Sequence, residues 1–61
     1  MRLKELRESK GMTQQEISLL IGYSTGAYGR YERGDRKPDI DMLKFLSKYY
    51  GVSIDYIVCN D

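Results

Sequence analysis

Helix start and stop signals recur along the whole chain and leave little room for other secondary structure. Four side chains that commonly cap helices precede apolar stretches: Thr13, Ser24, Asp39 and Ser53. Glycine, which ends helices in the left-handed conformation, follows such stretches at Gly11, Gly22, Gly34 and Gly51. These signals predict five helices, over approximately residues 2–10, 13–21, 25–33, 40–50 and 54–58.

Apolar residues recur at helical spacing. Ile17, Leu20 and Ile21 lie three and four residues apart, which is the spacing of one buried helix face. The fourth predicted helix carries a longer stripe that we expect to face the core: Ile40, Leu43, Leu46, Ser47 and Tyr50. Sustained alternation with a period of two is absent, so we predict an all-α fold without a sheet.

Length and composition exclude several kinds of protein. A chain of 61 residues supports one domain with a small core and no deep catalytic pocket. It has no histidine and a single cysteine, Cys59, which removes an internal disulfide, the commonest metal ligand and the commonest general base. Ser24 and Thr25 are explained as capping hydroxyls. We therefore expect no enzymatic activity, no metal and no cofactor.

The apolar runs are too short for a membrane protein. The longest cover residues 19–21 and 56–59, whereas a membrane span needs roughly 18 or more apolar residues. No signal-peptide pattern follows Met1. We expect a cytoplasmic protein with no membrane partner.

Charge is distributed unevenly along the chain. Residues 1–23 carry four basic and three acidic groups, residues 24–37 carry four and two, and residues 38–61 carry two and four. The middle segment is the most basic, because Arg30, Arg33, Arg36 and Lys37 fall within eight residues. This cluster is compatible with a nucleic-acid contact and equally with a solvated loop.

Only Gly22, Tyr23 and Ser24 separate the second and third predicted helices. A three-residue turn containing glycine makes two helices cross steeply, as in the helix-turn-helix motif. We expect Ser18 at the close approach of the two helices, and Tyr28 and Tyr31 facing inward. Two packed surface helices without a DNA-binding role could share this spacing.

The chain resembles the phage-repressor-like helix-turn-helix domains, of the Cro and lambda-repressor type, over nearly its whole length. The resemblance rests on Thr13-Gln14, on Arg30-Tyr31-Glu32-Arg33-Gly34, on Lys37-Pro38 and on Gly51-Val52-Ser53. It implies one compact five-helix domain over residues 1–61, with the helix-turn-helix at approximately 13–33. It also implies a recognition helix in the major groove of double-stranded DNA and binding as a two-fold homodimer.

The resemblance places base-reading side chains on the third helix. The matching positions are Thr25, Gly26, Ala27 and Arg30. Arginine can make a bidentate contact to guanine, and Thr25 or Ala27 can touch a thymine methyl group. Gly26 departs from the family, in which a longer side chain usually projects toward DNA at this position. A solvated surface arginine is the alternative for Arg30.

The same resemblance implies phosphate contacts at both ends of the motif. Thr13 and Gln14 lie at the N-terminus of the second helix, where backbone N–H groups favour anions. Further candidates are Ser24, Arg33, Arg36 and Lys37. Arg7 is expected to have a structural role, because similar domains pair this arginine with the glutamate that corresponds to Glu32.

A second apolar stripe runs along the fourth helix beside the expected core stripe. It contains Met42, Phe45 and Tyr49, and spare hydrophobic surface on a small domain is typical of a partner site. Together with Tyr56 and Val58, this stripe is the candidate dimer interface. The alternative is that these apolar side chains are exposed only because the core of a small domain cannot bury them all.

These observations favour a transcription regulator, of bacterial or phage type, that represses by binding a palindromic operator. The alternative is a protein-interaction module, such as an antitoxin or a regulator controlled by a protein partner, in which base readout has weakened. The chain is also compatible with the N-terminal part of a longer regulator. Gly26 and Gly29 remain unexplained by helix ends: either the bare backbone allows close approach to DNA or a partner, or these positions do not read bases.

Overall fold

The structure, a computed structural model, describes residues 1–59. It contains five helices and, within that range, no strand: α1 Leu3–Ser9, α2 Gln14–Ile21, α3 Thr25–Arg33, α4 Ile40–Tyr50 and α5 Ile54–Val58. The predicted all-α, five-helix fold is confirmed, and each predicted helix end lies within one residue of the observed end.

The helix ends have the predicted chemistry. The side chains of Thr13, Ser24, Asp39 and Ser53 each accept a hydrogen bond from a backbone N–H three residues later. At Thr13 the capping box is complete, because the Glu16 side chain accepts the Thr13 backbone N–H at 2.8 Å. The four predicted helix-ending glycines all have positive φ. Local signals therefore determine where the chain turns.

The core draws at least one side chain from every helix. Its members are Leu3, Ile17, Tyr28, Tyr31, Met42, Leu46 and Ile57, all of them at most 6% exposed. Leu6, Leu43 and Val52 are among the half-buried residues that pack around them. Among residues 1–59 no helix is long and apolar enough to cross a membrane.

The buried face of α4 differs from the predicted one. Ile40 is 57% exposed, whereas Met42 is 6% exposed and belongs to the core. The buried face is centred on Leu46, and Ile40 lies about 120° around the helix from it. Leu20 is also more exposed than its place on a core stripe implies. The predictions that Ile40 faces the core and that Met42 lies on an exposed interface are wrong.

Candidate nucleic-acid interface

Helices α2 and α3 form a helix-turn-helix with a tight turn. Gly22 ends α2 with φ 78°, a left-handed conformation that favours glycine, and Ser24 caps α3 two residues later. Ser18 is 1% exposed where the helices approach, and its hydroxyl donates to the Gln14 carbonyl at 2.6 Å. Tyr28 and Tyr31 are buried beneath α3. Ser18, Tyr28 and Tyr31 are therefore buried, as the short turn between the two helices leads one to expect.

A buried ion pair fixes α3 to the rest of the domain. The Nε of Arg7 donates to the Glu32 carboxylate at 2.7 Å, and the two side chains are 10% and 4% exposed. Arg7 also donates to the Met12 carbonyl at 2.7 Å, and Gln14 Nε2 donates to Glu32 Oε1 at 3.0 Å. Helices α1, α2 and α3 therefore meet at one carboxylate.

The environment of Glu32 keeps it ionised. Burial raises the pKa of the carboxyl group, but the hydrogen bonds from Arg7 and Gln14 outweigh burial and lower the pKa below its ordinary value. The hydrogen bond to Glu32 likewise raises the pKa of Arg7, despite its burial. Burial, together with the nearby Glu32, raises the pKa of Tyr28. The hydroxyls of Tyr28 and Tyr50 have no hydrogen-bond partner within residues 1–59.

The candidate base-reading positions lie on the first turns of α3. Thr25, Gly26 and Arg30 are exposed, and Ala27 is half-buried. No acidic side chain of residues 1–59 lies within ion-pair distance of Arg30. The guanidinium of Arg30 is therefore available to an external acceptor.

Gly29 has a different environment from Gly26. It is buried, and a Cβ added there would lie 3.2 Å from Nη1 of Arg33 and 3.7 Å from Oε1 of Gln14. A Cβ at the exposed Gly26 would meet nothing within 4 Å among the described residues. Because Gly29 has no side chain, it leaves space for the side chains of Arg33 and Gln14. The sequence did not predict this role, because the position matches no turn or cap.

The candidate phosphate-contacting residues surround α3 but differ in availability. Arg36 and Lys37 are exposed in the loop after α3, and the Arg36 guanidinium lies 5.9 Å from the Tyr31 ring centroid. Arg33 already pairs with Asp35 at 3.1 Å, with both side chains more than 60% exposed. Such an exposed pair is weak, so a phosphate can replace Asp35 as the partner.

The polar residues at the two helix starts are already hydrogen-bonded to the protein. The hydroxyls of Thr13 and Ser24 accept backbone N–H groups, and Gln14 uses an amide hydrogen on Glu32. The first N–H groups of α2 still have no intrahelical partner. A phosphate at this end would therefore bind mainly through the backbone of α2.

The residues predicted to form one dimer interface lie in different parts of the structure. Met42 is buried, as described above. Phe45 lines a groove with Leu20 and Tyr23, whereas Val58 lies in another groove with Leu43. Because Leu43 and Phe45 are about 200° apart on α4, these grooves lie on opposite flanks of that helix. Tyr49 stacks on Phe45 with centroids 6.1 Å apart, and Tyr56 is 44% exposed.

The fold and this surface define a class of protein: a compact five-helix domain that carries a helix-turn-helix with an exposed second helix. The chain belongs to the phage-repressor-like helix-turn-helix family, since the family model described as "Helix-turn-helix" matches residues 3–57. The family resemblance inferred from the sequence is thereby confirmed.

Similar proteins come from several bacteria and a phage. The chain is 39% identical over 57 residues to the uncharacterized HTH-type transcriptional regulator YobD of Bacillus subtilis, covering 93% of this chain and 51% of that protein. It is 42% identical over 60 residues to the HTH-type transcriptional regulator ImmR of Bacillus subtilis, covering 98% and 47%. It is 32% identical over 59 residues to the cryptic phage CTXphi transcriptional repressor RstR of Vibrio cholerae, covering 97% and 53%.

The chain thus spans about half the length of these curated relatives. No solved structure matches it.

Proposed function

We propose that this chain is the DNA-binding domain of a transcription regulator that recognises a specific double-stranded operator. The observation that carries the proposal is the exposed surface that Thr25, Gly26 and Arg30 form on α3, with Arg30 free of any ion pair within residues 1–59. The buried Arg7–Glu32 pair holds this helix in place. In this proposal α3 enters the major groove, where Arg30 and Thr25 contact base edges. Gly26 and Ala27 allow the helix backbone to come close to the bases.

The phosphate contacts come from the surrounding basic residues. Arg33, Arg36 and Lys37 contact the DNA backbone beside the recognition helix, and Ser24 and Thr13 lie at the starts of α3 and α2. The chain carries a net charge of only +1, so binding depends on the concentration of basic groups near α3 rather than on overall charge.

The proposed domain binds as a homodimer and represses transcription in the bacterial cytoplasm. Two-fold binding is the usual way in which a helix-turn-helix of this size reads a palindromic site. Tyr56 and Val58 remain the candidates for the contact between copies, since Met42 is buried and Phe45 lies on the opposite flank of α4 from Val58. Repression is supported by the similarity to RstR, which is a transcriptional repressor of a cryptic phage.

Two alanine substitutions separate base reading from phosphate contact. Arg30→Ala should reduce discrimination at one base pair by about 1–3 kcal/mol, because a bidentate contact is lost there. Lys37→Ala should weaken binding to all sequences about equally and reduce the salt slope by about one. The measurement is the affinity of each variant for an operator and for its single-base-pair variants at two salt concentrations.

Circular dichroism serves as the folding control, because both side chains are exposed and neither substitution should change the helix content. If Arg30→Ala weakened every sequence alike, without a change of preference at any base pair, the assignment of Arg30 to base reading would be wrong.

A further inference from the structure

A groove lies between the end of α2 and the start of α4, apart from the exposed half of α3. It has a volume of about 280 Å³, and its apolar lining comes from Leu20, Ile21, Tyr23, Met42 and Phe45. Asp39 and Asp41 supply its acidic side chains. We refer to these seven residues as the α2–α4 groove.

The α2–α4 groove contains large apolar side chains that the fold leaves exposed. Leu20 is 47% exposed and Phe45 is 41% exposed. Ile40, which lies between the two aspartates in the sequence, is 57% exposed, and Leu19 beside Leu20 is 74% exposed. Ile40 and Leu19 only neighbour groove residues in the sequence, but Leu20 and Phe45 both line the groove. Single exposed apolar residues are ordinary, whereas two large ones in the same groove are typical of an interaction site.

The acidic side chains of this groove limit the kinds of ligand that can bind there. Phosphate groups of DNA would be repelled by Asp39 and Asp41, and they would gain nothing from the apolar lining. A second copy bound through a two-fold axis would bring the same patch onto itself. None of the seven lining residues is basic, so such an interface would bury the aspartates without a basic partner and is disfavoured. A basic partner, in contrast, complements the rim.

We propose that the α2–α4 groove binds a basic, amphipathic helical segment of a partner protein. Apolar side chains of that segment pack between Leu20 and Phe45, and a lysine or arginine pairs with Asp41 and with Asp39. Asp39 Oδ1 accepts the Met42 N–H at 2.8 Å, which leaves Oδ2 as the more available acceptor. The binding mode is a helix in a groove, with anchors at helical spacing.

The α2–α4 groove would give this chain a protein-binding site in addition to its DNA-binding surface. The groove uses no candidate DNA-contacting residue, so its occupancy is independent of whether the domain reads a specific operator. It also gives Phe45 a role other than contact between copies.

A library of random 16-residue peptides displayed on phage, selected on the full chain, tests the proposal. Enriched peptides should carry a net positive charge and apolar residues three and four positions apart. The enriched peptides are then synthesised with a fluorophore, and their affinity for the protein is measured by fluorescence anisotropy. Leu20→Ser and Asp41→Lys should each weaken binding by about tenfold or more, because one removes an anchor and the other reverses the rim charge.

A matched substitution elsewhere provides the control. Asp55→Lys reverses an acidic charge in the first turn of α5, as Asp41→Lys does in α4. This control should change peptide affinity by less than about twofold. Thermal unfolding followed by circular dichroism establishes that each variant is folded.

Three results would overturn the proposal. One is a selection that enriches no peptide or only acidic peptides. Another is peptide binding that the groove variants and Asp55→Lys weaken equally. The third is a wild-type chain that sediments as a dimer and becomes monomeric with Leu20→Ser but not with Tyr56→Ser, since the groove would then hold a second copy.

Discussion

The Arg7–Glu32 pair is the residue-level feature on which the position of α3 depends most. Removing one member of a buried ion pair leaves an uncompensated charge and costs about 3–5 kcal/mol. A chain of this size has only about 3–5 kcal/mol of total stability. The pair therefore decides whether the domain is folded, although it adds no contact to DNA.

A double-mutant cycle tests this account of the pair. Glu32→Leu alone should leave the chain largely unfolded at 25 °C, because Arg7 stays charged and 8% exposed without its partner. Arg7→Met combined with Glu32→Leu should be more stable than Glu32→Leu alone, since no buried charge remains. Urea unfolding of the wild type, of Arg7→Met, of Glu32→Leu and of the double variant provides the four free energies of the cycle. Additive losses in the double variant would show that the two side chains do not act as a pair.

The pH dependence of stability follows from the same carboxylate. The folded-state pKa of Glu32 lies below its unfolded value of about 4.3, so the unfolded chain binds more protons in acid. Its stabilisation is complete above that unfolded value and is lost as the pH falls through the folded pKa.

Unfolding free energies measured from pH 6 down to pH 3 should decrease in the wild-type chain. The decrease should be smaller in the Arg7→Met, Glu32→Leu double variant, which lacks the titrating group but keeps the other carboxylates. Equal decreases in the two proteins would contradict the role given to Glu32.

Helix α3 shows why a glycine can be retained in the middle of a helix. Gly29 faces Gln14 and Arg33 rather than solvent. The sequence had suggested either close approach to DNA or a partner, or a position that does not read bases, and neither explanation applies in full. The close approach that it permits is to side chains of the same chain. Gln14 in turn reaches Glu32, which links the α2–α3 packing to the buried ion pair.

Alanine at the two glycines of α3 should have different effects. Gly29→Ala should stabilise the chain by about 0.5–1 kcal/mol, because helix propensity rises and the exposed Arg33 side chain can move aside. Its DNA affinity should stay within about threefold of the wild type, whereas Gly26→Ala adds a methyl group on the exposed flank and should change affinity or preference. Thermal unfolding and DNA titration of both variants measure these effects. A large loss of DNA affinity in Gly29→Ala alone would contradict this account and indicate that Gly29 faces the DNA.

Helix ends were predictable, whereas the orientation of a helix was not. The caps at Thr13, Ser24, Asp39 and Ser53 act through bonds within a few residues, so the sequence carries them locally. Burial of Met42 and exposure of Ile40 depend on how α4 rotates against α2 and α5, which no local pattern specifies. The hydrogen bond from Gln14 to Glu32 joins residues 18 positions apart and was missed for the same reason.

The whole molecule separates its surfaces by charge. The segment from residue 24 to 37 carries four basic and two acidic groups and includes α3 with its basic loop, whereas the α2–α4 groove carries Asp39 and Asp41. The first surface suits a polyanion and the second a basic partner. The core of seven apolar residues and the buried ion pair hold both surfaces on one small domain.

Selection from a random double-stranded DNA pool tests whether the chain recognises a specific DNA sequence. The selected site should be a palindrome with half-sites about one helical turn apart, bound at least roughly 10³-fold more tightly than random DNA, with affinity falling steeply as salt rises. Recovery of no enriched palindromic site, with only salt-sensitive binding that ignores sequence, would contradict the claim for this chain.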